Sequence, residues 1–138
     1  MKKKKDEISN SLLECIEAVN VSSAAFDDLR AYEKWLVGLR ETASKQTHYH
    51  RLSEWSDKSY GYIHKMLDKY GFINGGKDQN SDAGFWWKVY GLLGSVCYSP
   101  HLRTRVAPHH SSAWERNEAM ITDINILIKT IATNEINN

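Results

Sequence analysis

A chain of 138 residues, 41% apolar and 25% charged, has the usual size of one domain and lies outside the composition of disordered chains. At that size about two-thirds of the unfolded surface can be buried, so folding requires neither a disulfide nor a structural metal. A formal net charge of +1 supplies no overall field to draw in a polyanion.

Apolar spacing is helical almost throughout, and no repeat of useful period is visible. Residues 1–5, with Lys at positions 2–5, are expected to form a basic, flexible N-terminus. The run continues into Asp6 and Glu7 rather than into the apolar segment of a signal peptide, which points to a cytoplasmic protein. A first helix is expected from about Asp6 to Asn20, with Ile8, Leu12, Cys15, Ile16 and Val19 on one stripe. Ser22 or Ser23 can cap a second helix, with Asp27 and Asp28 near its positive end and Ala25, Leu29, Tyr32, Leu36 and Leu39 inward. A third runs from Ser53 or Ser56 to Tyr70 with Tyr60, Ile63, Leu67 and Tyr70 inward, and Gly71 is placed to stop it.

Residues 71–82 concentrate turn formers and read as a loop. Ser81 or Asp82 then caps a fourth segment to about Tyr98, apolar nearly all round, as suits a helix at the centre of a bundle. Its apolar core, Val89 to Cys97, is broken by Gly91, Gly94 and Ser95 and falls short of the roughly 20 residues of a membrane span. Pro100 ends it, and an irregular stretch reaches His110. Ser112 and Glu115 make a capping box for the last helix, which continues through Met120, Ile121, Ile124, Leu127, Ile128 and Ile131 to a polar, flexible tail over residues 134–138. The expectation is one all-α domain over 1–138, a bundle of about five helices. In an alternative, residues 56–73 resemble the recognition helix of a winged helix-turn-helix, which makes residues 84–90 a returning strand and residues 74–82 the wing tip.

The two cysteines, Cys15 and Cys97, sit among apolar neighbours and read as reduced core thiols, although their pairing stays open. Residues 83–114 contain no acid but carry Lys88, His101, Arg103, Arg105, His109 and His110. A shorter acid-free window, 42–53, holds Lys45, His48, His50 and Arg51. Together with Trp86, Trp87, Tyr98 and Trp114, these cations suit RNA or another phosphate-bearing ligand, with Trp86, Trp87, Lys88, Arg103 and Arg105 as contacts. The competing reading is a glycine-rich core helix followed by a solvated loop. The histidines lack a nearby cysteine or a second-shell carboxylate, so no metal or other cofactor is expected.

An Arg followed after four to six residues by a His occurs twice here: Arg105 with His110, and Arg103 with His109. In this and in its His-His-Ser-x-x-Trp continuation, the segment resembles the metal-independent HEPN ribonucleases, including their abortive-infection branch. The resemblance implies a helical bundle, often a homodimer, in which a His works as acid or base on the ribose 2′-hydroxyl and an Arg offsets charge on the phosphate. This sequence departs from that pattern at Thr104 and Val106, where the family carries a polar residue, often Asn. It departs again at Pro108, which breaks a helix.

No other catalytic template is present: the Gly75-Gly76 loop lacks the phosphate-cradle spacing, and no nucleophile elbow occurs. The leading expectation is therefore a small interaction or regulatory protein that engages a protein partner through an aromatic face. Five Trp and seven Tyr exceed what a core this size readily consumes. Trp55, Trp86, Trp87 and Tyr49 are the candidate exposed anchors. A metal-independent ribonuclease and a non-catalytic nucleic-acid-binding module are the alternatives.

Overall fold

A computed structural model of the chain describes residues 9–45, 52–71, 81–98 and 112–137. They hold five helices: α1 (Asn10–Glu17), α2 (Ser23–Lys45), α3 (Leu52–Lys69), α4 (Ser81–Cys97) and α5 (Ser112–Asn137). The all-α bundle follows the apolar spacing. The winged alternative does not hold, because residues 84–90 lie inside a continuous helix. Burial along α4 at Ala83, Phe85, Trp86, Val89, Leu92, Leu93 and Val96 follows a period of three to four residues, not two.

Local signals set the ends. The Ser9 hydroxyl accepts from the Leu12 amide at 3.0 Å and so caps α1, and the Ser22 hydroxyl accepts from the Ala25 amide at 3.2 Å and caps α2. Ser22 is itself clasped by the Asp82 carboxylate: its amide donates to Oδ1 at 2.8 Å and its hydroxyl to Oδ2 at 2.6 Å. A negative charge is thereby held at the positive end of α2, and the starts of α2 and α4 are tied together. Gly71 ends α3 with φ +74°, a left-handed conformation that costs a side chain about 1 kcal/mol or more. At the other end of the chain, α5 runs on to Asn137, through most of the stretch expected as a flexible tail.

The most extensive pairing is α2 against α5, and α4 packs on α1, α3 and α5. The predicted α2 stripe holds through Ala25, Leu29, Tyr32 and Leu36, fully buried against a core that includes Met120, Ile124, Leu127 and Ile131, while Leu39 at its end is half-buried. On α3 two of the expected inward residues, Ile63 and Leu67, are buried, and the stripe turns by roughly 40° so that it runs through Trp55 and Ser59. Trp55, Ser59, Ile63 and Leu67 are buried, while Tyr60 and Tyr70 are only half-buried.

Three polar side chains, Ser59, Arg116 and Asn117, are buried in the interior, and the last two bridge elements. The Trp55 indole N–H donates to Asn117 Oδ1 at 2.9 Å, and Asn117 Nδ2 donates to the Leu36 carbonyl at 2.8 Å. One buried amide thus joins α2, α3 and α5. Fully buried Arg116 donates from Nε to the Cys97 carbonyl at 3.0 Å. That places its cation on the negative end of α4, where a charge is favoured. Cys15 and Cys97 are both buried and unpaired with each other. Burial, assisted by Asp123 and Glu14, pushes the Cys15 thiol up to about 12.

Candidate interaction faces

Two aromatic surfaces emerge from this register. The first lies on α3 and α4. Trp87, Gly91, Gly94 and Tyr98 fall on one side of α4, with Trp87 37% and Tyr98 74% exposed. Trp87 stacks on Tyr90 with ring centroids 5.2 Å apart. Tyr90 in turn takes Tyr60 and His64 of α3 edge-on at 5.4 and 5.5 Å. A Cβ at Gly94 would stand 3.3 Å from the Tyr60 hydroxyl, so the missing side chain lets Tyr60 lean over α4. Burial is the main reason the Tyr60 phenol is pushed up, so it stays protonated across the physiological range.

The second surface is an open groove of about 380 Å³ between α2 and α3, lined by Trp35, Leu39, Lys58, Gly61, Tyr62 and Lys65. Tyr62 packs between Tyr32 and Trp35, at centroid distances of 4.9 and 4.8 Å. Among the described residues, neither Lys58 nor Lys65 has an ion-pair partner. Elsewhere on the surface, Arg40 pairs with Glu118 at 2.6 Å, Lys69 with Asp28 at 2.8 Å and Lys88 with Glu14 at 3.4 Å.

These placements sort the sequence-derived candidates. Trp87 is exposed, as an anchor requires. Trp55 and Trp86 are not: they are 1% and 0% exposed and belong to the core. The bundle needs bulk at both positions, and their place on the buried stripes outweighs the amphipathic character of tryptophan. Lys88 lies on an acid-free stretch of sequence but faces Glu14 of α1, so folding brings this one cation an acid that its own sequence neighbourhood lacks. Trp114 is half-buried. Arg103, Arg105, His109 and His110 lie outside the described residues, as do His101, Tyr49, His48, His50 and Arg51.

The sequence reading passed over His64, Tyr60 and Tyr90 as face-forming residues, and Trp35, Lys58, Tyr62 and Lys65 as a group. A signal was present in the spacing of Lys58, Gly61, Tyr62 and Lys65, which puts them on one side of a helix. Among the described residues, no three His, Cys, Asp or Glu side chains gather where they could hold a metal, and no helix is long and apolar enough to cross a membrane. No family model, curated protein or solved structure matches this chain.

Proposed function

We infer that the protein is a small helical binding module that engages a protein partner through the α3–α4 face of Trp87, Tyr90, Tyr98, Tyr60 and His64. One observation carries the reading: Trp87 and Tyr98 stand exposed on the same side of α4, next to half-buried Tyr90 and Tyr60. Aromatic rings suit such a face because they bury much area while freezing few rotamers, and truncating a central one commonly costs about 2 kcal/mol or more.

The test is site-specific photocrosslinking in cells that express the protein, with benzoylphenylalanine installed at position 87 or 98. Discrete adducts are expected from these two positions but not from position 37, whose Val37 is exposed elsewhere, on α2. An adduct of twice the chain mass identifies a second copy as the partner. Equal adducts from all three positions, or none from 87 and 98, would remove the reading. With the captured partner purified, Trp87→Ala should weaken binding roughly thirty-fold.

A further inference from the structure

We propose that the groove between α2 and α3 is a docking site for an acidic amphipathic helix of a partner protein, separate from the α3–α4 face. Its chemistry has two parts. Trp35, Leu39 and Tyr62 supply half-buried apolar walls. Lys58 and Lys65 supply charge at the rim, two turns of α3 and therefore roughly 10 Å apart. An incoming helix with acids seven residues apart has the same spacing, and its third and fourth residues between them point the same way, into the walls.

The groove is also kept open at a cost in helix stability. Gly61 sits inside α3, where glycine is less favourable than alanine by about 1 kcal/mol. A Cβ there would meet nothing within 4 Å, so no packing in the bundle requires the glycine. What its absence of a side chain provides is clearance over the groove floor. The groove is open along its side, so a small molecule would stay largely in water, whereas an element laid along two antiparallel helices covers it.

Charge chooses between an acidic helix and a polynucleotide. Glu54, Asp57 and Asp68 are exposed on α3, the same helix as the two lysines. A continuous run of phosphates would meet that negative charge, and two lysines release few counterions. A helical peptide places its acids only opposite the lysines. The proposal therefore commits to a protein helix.

The test is a displayed library of helical peptides of about 16 residues, long enough to form a helix, selected against the full chain. Enrichment of Asp or Glu at two positions seven apart, flanking large apolar residues, is expected. Titrated against the protein, an enriched peptide should bind at least about tenfold more weakly to the Lys58→Glu/Lys65→Glu variant. It should regain affinity for that variant when its own acids are exchanged for lysines. Gly61→Gln, which has room to fold, should also weaken binding about tenfold by filling the groove. Trp87→Ala should leave the peptide bound, which separates this site from the other face. Selected peptides without acidic bias, full binding to the Gly61→Gln or charge-reversed variants, or displacement of the peptide by a single-stranded oligouridylate would each overturn the proposal.

Discussion

Replacing Asn117 with leucine isolates the single amide that joins three helices. Leucine has the same branching and the same number of side-chain heavy atoms, so no cavity is opened, but Trp55 Nε1 loses its acceptor in a site where Trp55 is 1% and Asn117 0% exposed. An orphaned donor in a dry core costs about 1–3 kcal/mol. The Leu36 carbonyl gives up only its second bond, since it remains part of the α2 ladder. The sum is a loss of about 2 kcal/mol, a sizeable share of the roughly 5–15 kcal/mol that holds a domain together. Urea unfolding followed by circular dichroism should show a midpoint lower by about 1 M with unchanged slope. The decisive comparison is a double-mutant cycle with Trp55→Phe, which removes the donor. In that background Asn117→Leu should cost at least about 1 kcal/mol less. Strict additivity of the two substitutions would refute the claim that this hydrogen bond is a stabilising link.

Asp123 is held up at about 6 by burial alone. Its carboxyl is favoured protonated in the folded chain, so its contribution is fully present below the unfolded value near 4 and is lost as pH rises through about 6. Asp123→Asn should raise the melting temperature at pH 7.5 and flatten the change between pH 5 and 7; an unchanged profile would contradict this. Gly71→Ala should destabilise by about 1 kcal/mol through its positive φ, with native helix content retained, and a neutral result in urea titration would place the strain elsewhere. Cys15 and Cys97 should react with a thiol reagent only at the rate of unfolding, since both are buried and Cys15 is pushed up to about 12. Prompt labelling of the native protein would show that those helices are misplaced.

The helices were legible because their apolar residues recur at three and four positions, and the serine caps and Gly71 mark where that recurrence stops. The orientation of α3 was harder to read. Its buried line passes through Ser59, and a polar residue on the line shifts the apparent apolar stripe towards Tyr60 and Tyr70. Trp55 sits on the true line one turn before Ser59, which is why it belongs to the core and not to a face. Arg116 and Asn117 were equally hidden, because their burial depends on a carbonyl and an indole that other helices bring to them. Neither the groove nor the Lys88–Glu14 pair is written in any local stretch. Both exist only once two helices have taken their register.

The pairing of α2 with α5 bears on how the chain reaches this state. Neighbours in sequence do not make the most extensive contact; the second helix and the last one do. Contacts between distant segments slow folding relative to a bundle of simple hairpins, because loop closure comes before any gain from packing. During synthesis Leu29, Tyr32 and Leu36 leave the ribosome long before Met120, Ile124, Leu127 and Ile131 arrive to cover them. The nascent protein therefore carries this apolar stripe uncovered until α5 has been made, and a molecule that loses α5 keeps that stripe in water for good.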